Sequence, residues 1–182
     1  LNCVANGKVL RDGAFKNIWV QPAAGDAGGA LGAALAAYYW NLGNERKLGD
    51  GMDGMAGGYL GPEFDQQDIE TRLKSIGAVF EVMDDNGLID EVADALADEK
   101  AVGWFQGRME FGPRALGGRS IIGDPRSPSM QKTLNLKVKY RESFRPFAPS
   151  VLAEDATDWF EIKEASPYML MVADVQPERR HE

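Results

Sequence analysis

Ala101-Val102-Gly103-Trp104-Phe105-Gln106-Gly107-Arg108-Met109-Glu110-Phe111-Gly112-Pro113-Arg114-Ala115-Leu116-Gly117-Gly118-Arg119-Ser120-Ile121-Ile122 decides how this chain is to be read. Ala101 to Phe105 is a short apolar run and predicts a strand. Ser120-Ile121-Ile122 predicts a second. Between them, glycines at 107, 112, 117 and 118 let the backbone fold tightly around a ligand. Arg108, Arg114 and Arg119 are five or six residues apart, so they converge only if the loop curls. Each guanidinium offers a planar fork of N–H donors that suits phosphate or carboxylate oxygens.

Downstream, Ser127-Pro128 predicts the start of a helix running to about Leu136, since proline suits the first helical turn. Lys137-Val138-Lys139-Tyr140-Arg141-Glu142-Ser143-Phe144-Arg145 then alternates cations with apolar residues. An extended strand would place Lys137, Lys139, Arg141 and Arg145 on one face. Four like charges on one face repel, and an anion between them removes the repulsion. A solvated strand edge protected by charge is the simpler alternative. Single-stranded RNA along a basic face with interleaved aromatics is another.

Charge sets this island apart. The chain of 182 residues has a formal net charge of -8, which disfavours general binding to nucleic acid or anionic lipid. From Arg108 to Arg145, nine cations face only Glu110, Asp124 and Glu142, a local balance of +6 that leaves -14 for the remainder. The apolar fraction of 44% and charged fraction of 26% are those of an ordinary globular protein. No apolar run approaches the roughly 18 residues of a membrane span. The single cysteine, Cys3, permits no internal disulfide and no cysteine-based zinc site, and fits a cytoplasmic setting. His181, the one histidine, sits in a polar terminal stretch and reads as tail. Chemistry resting on imidazole is therefore not expected.

Toward the N-terminus, Val9-Leu10 and Ile18-Trp19-Val20 read as short strands around the turn at Arg11-Asp12-Gly13. Leu31, Leu35, Tyr38, Tyr39 and Leu42 have helical spacing, with Asp26 as a start and Gly43 as a stop. Gly25-Asp26-Ala27-Gly28-Gly29 would open that helix, and bare N–H groups there can receive phosphate. The alternative is that small residues simply allow close packing while Asp26 caps the helix. Asp26 is also a candidate ligand for a hard divalent cation, its partners lying elsewhere. Residues 43–62 are glycine-rich and mark a domain boundary. Asp65 should cap a helix striped by Ile69, Leu73 and Ile76 and ended by Gly77. Ala78 to Met83 reads as a strand, and Leu88, Val92 and Leu96 stripe a further helix ending near Lys100. Phe147 to Leu152 and Met169 to Val175 read as strands around a short helix at residues 155–160. Helices and strands intermix, so the class is α/β or α+β.

The stretches Leu1 to Lys8, Gln21 to Leu35, Tyr59 to Phe64, Val102 to Ser120 (VGWFQGRMEFGPRALGGRS), Asn135 to Val151 (NLKVKYRESFRPFAPSV) and Ser166 to Met169 resemble the NodU/CmcH-type carbamoyltransferase family. The resemblance implies two domains. Residues 1–50 would be the end of an actin- and sugar-kinase-like ATPase domain, and residues 55–182 an incomplete YrdC-like domain. It implies a fragment of an O-carbamoyltransferase that forms carbamoyl-adenylate from carbamoyl phosphate and ATP, then passes the carbamoyl group to a hydroxyl acceptor. By position, Arg108, Arg114, Arg119, Lys137, Lys139, Arg141 and Arg145 would bind phosphate, with Arg108 and Arg145 stabilising the reacting phosphoryl group. Gly25, Gly28 and Gly29 would lie near the nucleotide, and Asp26 would ligate a divalent metal, iron or magnesium. The family's two metal-binding histidines and its Asn-Thr-Ser-Phe-Asn segment are absent, and Gly118 stands where the family pattern has Asn or His. The isolated chain is thus expected to be an internal piece, to bind phosphates weakly and not to turn over. Two other readings stay open: an RNA-modification component akin to threonylcarbamoyl-adenylate synthases, and a non-catalytic phosphate-binding module.

Overall fold

The computed structural model describes residues 2–47, 49, 53–163 and 165–180. His181 lies outside the described residues. The chain divides into two compact units, one formed by Leu1–Leu60, Glu110–Leu116 and Ser150–Glu182, the other by Gly61–Met109 and Gly117–Pro149.

The first unit begins with helix α1, Cys3–Asp12, where two strand residues were expected at Val9-Leu10. Local capping decides this. Asn2 Oδ1 accepts the Ala5 N–H at 3.0 Å, Arg11 sits in the last turn, and Gly13 closes the helix at φ 73°. The helix rests on the segment around residues 170–172. Asn6 Nδ2 donates to Leu170 O at 2.8 Å and Arg11 Nη1 to Val172 O at 3.0 Å. A Cβ on Gly7 would lie 2.6 Å from Val172 O, so only glycine permits this approach. Ile18 to Val20 forms no strand.

Helix α2, Asp26–Ala36, has Gly25 at its cap position and continues into a wider π turn, Ala37–Asn41. There the Leu42 N–H reaches Ala37 O at 3.0 Å, and Tyr38 and Tyr39 meet edge to face at 5.1 Å. Gly43 follows at φ 68°, the left-handed stop its position predicts. Met55 is a buried apolar side chain of this unit. Tyr168 ties it together by accepting the Gly57 N–H at 3.1 Å and donating its hydroxyl to Asp53. A helix, α6 (Ala156–Trp159), lies near the C-terminus, and the strand expected at Met169 to Val175 is reduced to one antiparallel bridge between Phe160 and Val175. The strand expected at Phe147 to Leu152 is not formed.

In the second unit, α3 (Gln66–Ser75) begins where Asp65 Oδ1 accepts the Asp68 N–H at 2.8 Å. The i,i+4 pairs Asp68–Arg72 at 2.9 Å and Glu70–Lys74 at 3.0 Å run along its exposed face. Helix α4, Asp85–Ala97, is capped in the same way by Asp84. Ala78 to Met83 is not a strand. It has no ladder partner among the described residues, and Val79 and Val82 are exposed, so pairing energy never accrues.

Strands β1 (Val102–Phe105) and β2 (Arg119–Ile122) form an antiparallel pair in the register Val102 to Ile122 and Phe105 to Arg119. Helix α5, Met130–Thr133, runs into a π turn, Leu134–Val138, under which Met130, Leu134 and Asn135 are buried. The architecture is helices with a small antiparallel sheet, which is α+β.

Candidate functional site

The basic stretch after α5 is a turn, not the expected strand. Lys137 and Val138 still belong to the π turn, whose last bond joins Lys139 N–H to Leu134 O at 2.9 Å. Tyr140 then takes a left-handed conformation at φ 49°, and the chain doubles back. The physical reason is Asn135, which is fully buried. Its Nδ2 donates to Ser143 O at 3.1 Å and Arg145 O at 2.9 Å, while its Oδ1 accepts from Arg141 Nε at 2.6 Å. Gln131 Nε2 adds bonds to Phe144 O at 3.3 Å and Arg145 O at 3.1 Å. These side-chain bonds compete with a β ladder for the same carbonyls and win locally.

The turn separates the cations by environment. The Arg141 guanidinium lies over the Phe147 ring at 4.9 Å, with Nε committed to Asn135. Arg145 Nε pairs with Glu142 at 2.9 Å in the open. The Glu142 carboxyl is held below the usual carboxylate range, first by its own main-chain N–H and then by the Arg145 charge. Lys137 and Lys139 are exposed and have no ion-pair partner among the described residues.

The arginine-rich loop is also sorted by pairing. Arg108 donates to Gly61 O at 2.8 Å and Glu63 Oε2 at 2.8 Å. Arg126 is held by Asp124 through Nε at 2.9 Å and Nη2 at 2.7 Å, and these bonds lower the Asp124 carboxyl below its ordinary range. Arg119 is half-buried in β2 opposite Phe105. Thus Arg108, Arg119, Lys137, Lys139, Arg141 and Arg145 all fall in the second unit, whereas Arg114 falls in the first.

In the first unit the glycine loop of α2 and the Arg114 loop meet. A Cβ on Gly112, at φ 93°, would stand 2.6 Å from Ala23 Cβ and 3.8 Å from Ala27 Cβ. Glu110 curls this loop: its buried carboxylate accepts the Leu116 N–H at 2.6 Å, and Tyr59 donates to Leu116 O at 2.6 Å. Arg114 points to no ion-pair partner among the described residues and is exposed. The N–H groups of Gly25 and Gly28 are spent on Ala23 O at 2.6 and 2.8 Å. A Cβ on Gly28 would meet that oxygen at 2.6 Å, so Gly28 serves close packing, whereas Gly29 has open space. Asp26 is exposed in the first turn of α2, and no group of three metal-ligating side chains occurs among the described residues. A single carboxylate does not make a metal site.

A groove of about 650 Å³ in the first unit is lined by Leu10, Arg11, Phe15, Lys16, Lys163 and Val172 among others, and by none of the residues predicted to bind phosphate. Sequence reasoning missed Asn135, Glu63 and the loop-curling role of Glu110. The lone acidic residue Glu110 within a cationic loop was the visible signal; Asn135 gave none.

Residues 1–35 match the model of the carbamoyltransferase N-terminus, and residues 93–182 that of the carbamoyltransferase C-terminus. An uncharacterized protein of Synechocystis sp. is 63% identical over 182 residues, covering 99% of this chain and 29% of that protein. Nodulation protein NolNO of Sinorhizobium fredii is 42% identical across 99% of this chain and 26% of its own length. Nodulation protein NolO of Bradyrhizobium diazoefficiens is 41% identical across 96% of this chain and 32% of its length. The chain therefore spans about a third or less of the curated relatives it matches. Among the described residues, no helix is long and apolar enough to cross a membrane.

Proposed function

Since this chain belongs to the carbamoyltransferase family, we propose that it is the anion-handling part of an O-carbamoyltransferase, one that uses carbamoyl phosphate and ATP to carbamoylate a hydroxyl acceptor. The observation that carries this reading is positional. All nine cations of the Arg108 to Arg145 island lie within residues 93–182, the segment matching the carbamoyltransferase C-terminus.

The chemistry suits these groups. Carbamate is a poor acyl donor. Water first takes the phosphoryl group of carbamoyl phosphate, releasing inorganic phosphate and carbamate. Attack of the carbamate oxygen on the α-phosphorus of ATP, with loss of pyrophosphate, then gives a carbamoyl-adenylate. The acceptor hydroxyl then attacks the carbamoyl carbon, loses its proton, and AMP departs. Negative charge builds on phosphoryl oxygens in the first step, and preorganised guanidinium and ammonium groups stabilise it. No nucleophilic side chain is needed, in keeping with one cysteine and one histidine in the chain. Arg141, Lys137 and Lys139 are the groups of the turn best placed to meet an anion, because Arg108 and Arg145 already hold carboxylates. Arg108 and Arg145 would act only after exchanging Glu63 and Glu142 for substrate oxygens. Arg119 lies in β2 of the same unit and Arg114 in the other.

In this reading a YrdC-like domain forms the adenylate and an ATPase-like domain carries the transfer. Gly25, Gly28 and Gly29 would lie near the nucleotide, and Asp26 would add one ligand to a divalent metal otherwise held outside this chain. The test is pyrophosphate release by the full-length protein that depends on both ATP and carbamoyl phosphate. Release in the absence of carbamoyl phosphate, or none at all, contradicts the proposal. RNA binding with a steep salt dependence would favour the RNA-modification reading instead.

A further inference from the structure

We propose that Asn135 is the positioning residue of the cationic turn, and that it holds the Arg141 guanidinium with its outer edge open to a phosphoryl group. This deepens, and rests on, the carbamoyl phosphate reading of the same site.

Three observations point the same way. First, Asn135 is the one fully buried large polar side chain among the described residues, and all three of its hydrogen bonds go to the turn. A buried carboxamide is costly unless satisfied, so a satisfied one specifies a single local geometry. Second, Arg141 is fixed from two sides. Nε is tied to Asn135 Oδ1, and the guanidinium carbon sits 4.9 Å from the Phe147 ring centroid. Third, neither Nη of Arg141 has a hydrogen-bond partner among the described residues. The unspent edge is the pair of Nη atoms, whose parallel N–H groups match two phosphoryl oxygens.

Arg126 makes the contrast. Its Nε and Nη2 are both consumed by Asp124, so it presents no comparable edge. The asymmetry between these arginines arises from what holds them, an amide and an aromatic ring for Arg141 and a carboxylate for Arg126. A neutral amide fixes Arg141 without cancelling its charge, whereas a carboxylate fixes Arg126 and neutralises it. Restricting Arg141 before binding also reduces the side-chain entropy lost when the anion arrives.

The experiment has two arms on the full chain. In the first, NMR follows the Arg141 Nε–H signal without any ligand. A resolved, slowly exchanging signal is expected in the parent and should be lost in Asn135→Ala. A fast-exchanging signal in the parent overturns the positioning role outright. In the second, pyrophosphate and carbamoyl phosphate are titrated into the parent, Asn135→Ala, Arg141→Ala and the double variant. Asn135→Ala should weaken the bound anion about tenfold and have less than a twofold further effect once Arg141 is gone. An equal tenfold loss in both backgrounds would mean that Asn135 supports the fold without acting through Arg141. Should Asn135→Ala unfold, Asn135→Ser keeps a small hydroxyl there and carries the same comparison. A protected Nε–H together with pyrophosphate binding but no carbamoyl phosphate binding sinks the substrate reading and leaves the positioning role standing.

Discussion

Gly112 lies against Ala23 so closely that a Cβ on it would be 2.6 Å from the Ala23 Cβ. Two loops separated by almost ninety residues of sequence thus share one packing contact. At φ 93° Gly112 also holds a conformation that side chains resist. Gly112→Ala is expected to destabilise the chain by about 1–3 kcal/mol, through strain and overlap together. Urea unfolding checks this, and a midpoint equal to the parent's would mean that the two loops do not pack.

Tyr168 and Asp53 predict a stability window in pH. The Tyr168 hydroxyl and the Met55 N–H lower the Asp53 carboxyl below its ordinary range. Burial first, then the Asp53 contact, raises the Tyr168 phenol above its own. A lowered acid stabilises the fold above its unfolded pKa and loses that contribution as pH falls through the folded value. A raised phenol contributes below its unfolded pKa and loses its part as pH rises through the folded value. Stability from this pair should therefore decline below about pH 4 and again above about pH 10. Tyr168→Phe should remove the alkaline limb and weaken the acid one, where the Met55 N–H still holds Asp53. Thermal midpoints across pH test this, and unchanged limbs in the variant would exclude the pair as their source.

Removing individual cations should give unequal losses. Arg141→Ala is expected to weaken carbamoyl phosphate binding by roughly 1.5–3 kcal/mol, the size of a charge-assisted contact. Arg126→Ala should lose almost nothing, because Asp124 already occupies that guanidinium. Calorimetric titration separates the two, and equal losses would indicate a diffuse field acting in place of one positioned group.

Asp65→Ala should cost α3 about 1 kcal/mol, the usual value of a side-chain cap. The cap bond to Asp68 N–H is 2.8 Å and exposed, so the loss should appear as fraying of the first turn of that helix. Hydrogen exchange at Asp68 and Ile69 reads it directly. Unaltered exchange there would assign the start of α3 to packing.

The isolated chain should show no carbamoylation with ATP and carbamoyl phosphate, because Asp26 is a lone exposed carboxylate with no ligand cluster around it among the described residues. Product formation measured with labelled carbamoyl phosphate would show that this chain suffices for turnover.

The local elements were legible where short-range chemistry decides. Asp65 announced a helix start, Gly43 and Gly77 two stops, and the apolar runs ending at Phe105 and Ile122 two strands; the Asp84 cap and the pairing of those strands came from the structure. The charge island and the family resemblance were equally visible in one dimension. Tertiary structure decided what alternation could not. Residues 78–83 and 147–152 have strand-like composition but no neighbouring edge to pair with among the described residues, so they stay irregular. Lys137 to Arg145 alternates as a strand would, yet one buried amide at Asn135 captures its carbonyls and turns it back. Spacing along a chain reports which faces a regular element would have. Whether that element forms depends on which side chains reach its backbone in three dimensions, and here such side chains, Asn135 for Arg141 and Asp124 for Arg126, also settle which arginines keep an open edge.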